Sequence, residues 1–178
     1  ATVPQEDPPV YEMIQKADTI GVFQIESRAQ MSMLPRLRPN CFYDLVIETA
    51  IVRPGPIVGG AVNPYVRRRE MLRENPAFRI PYPHPLLEGP LRETLGVIVY
   101  QDQVLTVCQA LAGFSLAQAD MLRKAMGKKD PKVMAKMRAD FMAGASAKGI
   151  NEKKGTKIFD LMEYFAGYGF NKSHSTAY

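Results

Sequence analysis

The sequence predicts a mainly α-helical fold with a few short β-strands. Three observations carry that expectation. Apolar residues recur at three- and four-residue spacing through most of the second half. Helix-start signals stand directly before those runs, and glycines close them. The composition agrees, because 46% hydrophobic and 23% charged residues is a globular profile that excludes disordered, collagen-like and fibrous chains.

Residues 1–19 open polar and Pro-rich, and Tyr11 to Thr19 then takes up helical spacing. Ile20 to Ile25 alternates enough to predict a short strand. Ser27 is placed to cap a helix through Leu34, where Pro35 should stop it. Cys41 to Val52 reads as a buried helix ending at Arg53-Pro54-Gly55-Pro56. Residues 57–95 are the least regular, with six prolines between Pro64 and Pro90, and predict loops around one short helix near Tyr65–Arg73. Gly96 to Tyr100 predicts a second strand, and Gln101 to Ala112 a helix closed by Gly113. Ser115-x-x-Gln118 is a capping box for a helix to about Met126, stopped at Gly127. Asp130-Pro131 is an N-cap with proline at the first helical position. Val133, Met134, Met137, Phe141 and Ala145 give the helix it starts an apolar stripe, and Gly149 ends it. Asn151 should cap a helix whose core face is Ile158, Leu161, Met162 and Phe165, closed by Gly167. A last helix should begin near Ser173.

Several function classes are excluded early. No apolar run approaches the roughly 18 residues that a bilayer span needs. The polar N-terminal stretch carries no visible signal sequence. Cys41 and Cys108, with His84 and His174 far apart, do not supply the spacing of a zinc site or a disulfide framework, which fits the cytosol. Net charge is only +5, so its distribution matters more than its size. The start without Met and the stop at Tyr178, inside what reads as a helix's first turn, mark the sequence as a fragment of a longer protein.

Four clusters are candidates for chemistry. The Gly167 to His174 turn places backbone N–H groups and Lys172 at a helix start, an arrangement that suits an anion. It lacks the glycine directly before the lysine that a Walker loop needs, and on spacing alone an ordinary helix-start turn explains it better. Arg123, Lys124, Lys128, Lys129, Lys132, Lys136 and Arg138 form a basic corner suited to a nucleic-acid backbone or a triphosphate, or simply a solvated face. Arg67-Arg68-Arg69 with Tyr65 reads better as a charged surface helix. Tyr168 and Phe170 beside Gly169 could stack on a base or pack the turn. Asp44 and Glu48 sit four apart in an apolar helix and read as structural, and the ten methionines as core filler.

Five stretches taken together resemble one family. Phe23-Gln24-Ile25-Glu26-Ser27-Arg28, Arg53-Pro54-Gly55-Pro56, Tyr100-Gln101-Asp102-Gln103-Val104, Ala119 to Lys129 and Phe165 to His174 are similar, in that order, to the bacterial C-family DNA polymerases. That family comprises the alpha subunits of DNA polymerase III and their error-prone paralogues. Ser27 to Leu37 and Phe42 to Glu48 resemble the error-prone branch. Met126-Gly127-Lys128-Lys129 and Gly169-Phe170-Asn171-Lys172 resemble the replicative one, so the branch stays open.

The resemblance implies that residues 1–178 are a partial fingers domain. Residues 1–95 would be an irregular segment following the palm, and 96–178 a helical segment ending in the nucleotide-facing motif. The family's three palm aspartates, two of them in an Asp-x-Asp motif, lie upstream, and no Asp-x-Asp occurs here. The resemblance therefore implies no catalytic or metal-binding residue in this chain, and Mg2+ held by palm residues of the parent enzyme. It implies nucleotide contacts from Arg123, Lys172, Ser173, His174, Tyr168 and Phe170, and DNA contacts from Lys124, Lys128, Lys129 and Lys132. Implied partners are a primer–template, deoxynucleoside triphosphates, and the sliding clamp and other replisome subunits, in a cytoplasmic, non-membrane enzyme. The alternative is a non-enzymatic helical DNA-binding or replisome-interaction module, which would explain the basic corner but not five motifs in polymerase order.

Overall fold

A computed structural model describes residues 4–52, 62–128, 130–166 and 170–178. The described residues fall into two compact units, one of Ala1–Phe78 with Asn171–Tyr178 and one of Arg79–Phe170.

The first unit holds α1 (Pro8–Gln15), α2 (Arg28–Leu37), α3 (Phe42–Ile51), α4 (Val62–Glu74) and α10 (Lys172–Ala177). Ser27 caps α2 through a full capping box with Gln30. The helix does not stop at Leu34 as expected but runs to Leu37 with Pro35 inside it. Leu34 and Leu37 lie three apart on one buried face, and Arg38, in the left-handed conformation, closes the end by donating to Leu34 O. Packing of that last turn offsets the one hydrogen bond that proline removes. Tyr11, Ile14, Ile25 and Leu34 form the core between α1 and α2. α3 is the buried helix its sequence predicts, with Val46 through Ile51 all inside.

The strand expected at Ile20–Ile25 is not formed. Val22 N–H donates to Thr19 O and Ile25 N–H to Val22 O, which are successive turns. Gly21 and Gln24 both take positive φ, at 83° and 64°. A strand cannot continue through that region of backbone space. The buried Thr19 hydroxyl donates to Ile25 O at 2.6 Å and locks the loop.

The second unit holds a 3-10 turn (Pro85–Leu87), α5 (Glu88–Leu91), α6 (Gln101–Ala112), α7 (Leu116–Lys128), α8 (Pro131–Ala147) and α9 (Glu152–Ala166). α6 is its axis and packs against α7, α8, α9 and α5. Val104, Val107, Cys108 and Leu111 recur at helical spacing and are all buried. Gly113 ends α6 with φ 69°, as expected of a C-terminal glycine. The Ser115–Gln118 capping box is formed in both directions, at 2.9 and 3.2 Å. α7 passes through Gly127 and ends at Lys128. Asp130 accepts from Lys132 and Val133 N–H, and Asn151 from Lys154 N–H, as their positions predict. Gly144 brings α8 against the end of α6, where a Cβ would collide with the Ala112 carbonyl.

Phe141 stands between Phe114 and Phe159, with ring centroids at 6.2 and 5.4 Å. Both pairs are tilted or edge-on, the arrangements that ring quadrupoles favour. The apolar stripe of α8 is inside at Met134, Met137, Phe141 and Ala145. On α9 the core residues are Ile158, Phe159 and Met162, whereas Leu161 is 39% exposed, so Phe159 takes the place expected for Leu161. The side chain of Phe165 and the turn at Gly167 lie outside the described residues, as does Arg53-Pro54-Gly55-Pro56. Both cysteines are free, and burial pushes the Cys108 thiol up to about 12.

The second expected strand, Gly96 to Tyr100, is also absent. Among the described residues the only extended pairing is a single parallel bridge between Tyr100 and Phe170, with Gln101 N–H donating to Phe170 O at 3.0 Å. Val97 to Tyr100 are all buried, and the N–H groups of Val99 and Tyr100 go to the Gln103 side chain rather than to a neighbouring strand.

Candidate functional site

Arg123 and Phe170 belong to the second unit; Lys172, Ser173 and His174 belong to the first. Tyr168 and Lys129 lie outside the described residues.

In the second unit the cations of the basic corner differ in what they touch. Asp120 accepts from Arg123 Nε and Nη2 at 3.0 and 2.8 Å through Oδ1, and its Oδ2 lies 2.7 Å from Lys124 Nζ. These contacts, those of Lys124 first, hold the Asp120 carboxyl below its ordinary range. One carboxylate thus presents a guanidinium and an ammonium side by side on α7. Both remain partly open to solvent.

Arg138 leaves the corner altogether. It pairs with Asp160 at 2.9 Å and lies over the Phe159 ring at 5.1 Å, joining α8 to α9. Lys128, Lys132 and Lys136 are exposed. Lys132 and Lys136 rim a groove of about 510 Å³ between α7 and α8, with Met121, Val133 and Met137 in its lining. Phe170 is half-buried beside Tyr100.

In the first unit α10 begins with Asn171, whose side chain accepts from the N–H and the hydroxyl of Ser173. The cap therefore occupies a donor that the turn was expected to offer to an anion. What α10 presents instead is the Lys172 ammonium, 5.6 Å over the Tyr43 ring, and the exposed His174 imidazole. The helix is fixed by Ser175, which is buried and donates to Val46 O on α3.

Two buried features of this unit are poorly legible in the sequence. Arg69 is not on a solvated face. It makes a two-pronged pair with Asp44, both contacts 2.6 Å, and donates to Leu37 O and Arg38 O, beside the buried Tyr65. Arg73 joins it in satisfying the last carbonyls of α2. The surface-helix reading of Arg67–Arg69 is thus corrected for Arg69. The i,i+4 spacing of Asp44 and Glu48 also conceals a divergence. Asp44 is paired, while Glu48 is fully buried with neither carboxyl oxygen hydrogen-bonded among the described residues. Burial pushes its pKa up to about 8. Among the described residues no three His, Cys, Asp or Glu side chains gather as a metal-ion group. No described helix is long and apolar enough to cross a membrane.

Comparison with known proteins agrees with the motifs. Residues 1–149 match the family model of the bacterial DNA polymerase III alpha subunit finger domain. The whole chain is 46% identical over 178 residues to the DNA polymerase III subunit alpha of Escherichia coli (strain K12), covering 15% of that protein. It is 48% identical over 179 residues to the protein of the same name from Pasteurella multocida, again covering 15%. It is also 50% identical over 179 residues to the error-prone DNA polymerase of Pseudomonas fluorescens, covering 17%. The chain thus spans only about a sixth of the length of these relatives. By the family match and by identity along its whole length, the chain belongs to the bacterial DNA polymerase III alpha subunit finger-domain family.

Proposed function

We propose that this chain is part of the fingers of a DNA-directed DNA polymerase, an enzyme that adds deoxynucleotides to a primer 3′ end in DNA replication or translesion repair synthesis. The observation that carries the reading is identity of 46% or more to named DNA polymerases along the whole chain. Relatives with both replicative and error-prone names match at similar identity, so the reading covers both branches.

The chain's part is positioning and electrostatics. Arg123, Lys172 and His174 hold the incoming nucleotide, Ser173 lies on the triphosphate side, and Tyr168 and Phe170 shape the base-pair pocket. The cations act where negative charge accumulates as the phosphoryl group is transferred. Lys124, Lys128, Lys129 and Lys132 meet the DNA backbone, where each neutralised phosphate releases counterions and adds salt dependence. Magnesium, bound by palm carboxylates of the parent, would supply Lewis-acid chemistry. Among the described residues no three His, Cys, Asp or Glu side chains gather as such a site would need, and the roles proposed for this chain are binding and orientation. In the parent, the sliding clamp and other replisome subunits are the further partners, and the setting is cytoplasmic.

The test is made in the full-length parent. Lys172→Ala and His174→Ala should each lower kcat/KM for nucleotide incorporation at least about tenfold, which is about 1.4 kcal/mol of transition-state stabilisation. Primer–template affinity should change less than twofold. Loss of DNA affinity with intact nucleotide kinetics would reject the assignment.

A further inference from the structure

Asp120, Arg123 and Lys124 all stand on α7, at the three- and four-residue spacing that brings helical side chains together. Their contacts are made within one helix and need no other segment of the parent enzyme. The helix is itself fixed, because Ala119, Leu122, Ala125 and Met126 bury its other face.

Asp120 Oδ1 takes one edge of the guanidinium, accepting from Nε and Nη2 at 3.0 and 2.8 Å. Its Oδ2 lies 2.7 Å from Lys124 Nζ, so both carboxyl oxygens are engaged and the plane of the group is set. Arg123 Nη1 makes no hydrogen bond among the described residues. The edge that Nη1 shares with Nη2 is the end of the fork, which matches two oxygens of a phosphate.

An acid on its own beside a phosphate site is unfavourable, because like charges repel. Here two cations surround one anion, and the cluster as a whole is positive. Lys124 first and then Arg123 hold the carboxyl below its ordinary range, so it is a carboxylate at neutral pH. What the acid contributes is orientation. An unrestrained arginine spreads over many rotamers and loses that freedom when it grips an anion.

We propose that Asp120 is a positioning residue for nucleotide binding, holding Arg123 by its Nε edge so that the Nη1 edge is presented to the phosphates of the incoming nucleotide. This role rests on the nucleotide reading of Arg123 given above.

The experiment is single-nucleotide incorporation by the full-length polymerase. Asp120→Ala should raise the nucleotide KM about tenfold and leave kcat within about threefold. Asp120→Asn keeps the shape and an oxygen for Nε, and its KM should stay within about threefold of wild type. Arg123→Ala should raise KM at least as much as Asp120→Ala. Adding Asp120→Ala to it should change KM less than about twofold, because Asp120 acts through Arg123. A merely structural role would lower the active fraction, and with it the apparent kcat, while KM stayed put. An exposed pair within one helix contributes little to stability, so that pattern is not expected. A merely electrostatic role has the opposite sign, since both Asp120 variants remove a negative charge and would lower KM alike. Either pattern would overturn the positioning role, as would an equal rise in KM from Asp120→Ala with and without Arg123. A fall in primer–template affinity with KM unchanged would tie Asp120 to Lys124 instead and overturn it too. The two readings fail separately. If Arg123→Ala raises KM and Asp120→Ala does not, the nucleotide reading stands and the positioning role falls. If Arg123→Ala itself leaves KM within about twofold, the nucleotide reading of Arg123 falls and the role of Asp120 with it.

Discussion

Replacing Glu48 by glutamine should remove the loss of stability that this residue imposes as pH rises. Glu48 is fully buried, and among the described residues no group accepts from or donates to its carboxyl oxygens. Desolvation disfavours the charged form and moves its pKa from 4.5 to about 8. Unfolded, the same carboxyl titrates near its ordinary value. Between those two values the folded protein keeps a proton that the unfolded chain releases. The unfolded state then binds fewer protons, and stability falls as pH rises. At about 1.36 kcal/mol per pH unit, the ceiling on that loss is on the order of 5 kcal/mol. The Glu48→Gln side chain has nearly the same shape and does not titrate. Urea unfolding followed by circular dichroism at pH 5, 6, 7 and 8 should show the two proteins close together at pH 5. By pH 8 the variant should be more stable by several kcal/mol, since all other titrating groups are shared and cancel in the comparison. The carboxyl carbon-13 shift of Glu48 gives the protonation state directly. An ionised signal at pH 6, or a wild type that gains on the variant as pH rises, would refute the reasoning.

Two further expectations concern packing. Arg69 and Asp44 form a largely buried pair. Arg69→Met should cost about 3 kcal/mol by leaving Asp44 without its cation, and adding Asp44→Leu should recover part of that loss, as a double-mutant cycle in urea would report. Gly144 has no room for a Cβ beside the Ala112 carbonyl. Gly144→Ala should therefore lower the thermal midpoint, with a cost of about 2 kcal/mol from overpacking. Gly127 also lies within a helix but has open space around it. Gly127→Ala should leave stability unchanged or raise it by about 0.5–1 kcal/mol. Equal effects at the two glycines would show that the close approach of α8 to α6 is not a constraint.

Helix boundaries are legible where one local interaction decides them. Ser27–Gln30, Ser115–Gln118, Asp130 and Asn151 are short-range caps, and each forms as its spacing predicts. The two strand expectations fail because alternation or an apolar run specifies burial, not a partner. Val97 to Val99 are buried as a strand would be, but the Val99 amide meets the side chain of Gln103. Pro35 misleads because a proline's lost bond is a local cost, while the burial of Leu37 that outweighs it is tertiary. The same limit applies to charge. Arg123, Lys124 and Arg138 read alike as members of one basic run. Whether each is shared with Asp120 or spent on Asp160 depends on helix faces and neighbours. The buried roles of Arg69 and Glu48 are likewise fixed by elements distant in sequence.

The hydrogen bond from Ser175 to Val46 joins residues 129 positions apart and ties α10 to α3 within the first unit. All of residues 79–170 intervene, so the second unit is inserted within the first. A ribosome adding about 5–20 residues per second leaves the α10-facing side of α3 bare for roughly 10 s after α3 itself has been made. During that interval the intervening helices, rich in contacts near in sequence, can already fold. Of these two units the first is then closed after the second, by the segment bearing Lys172 and His174.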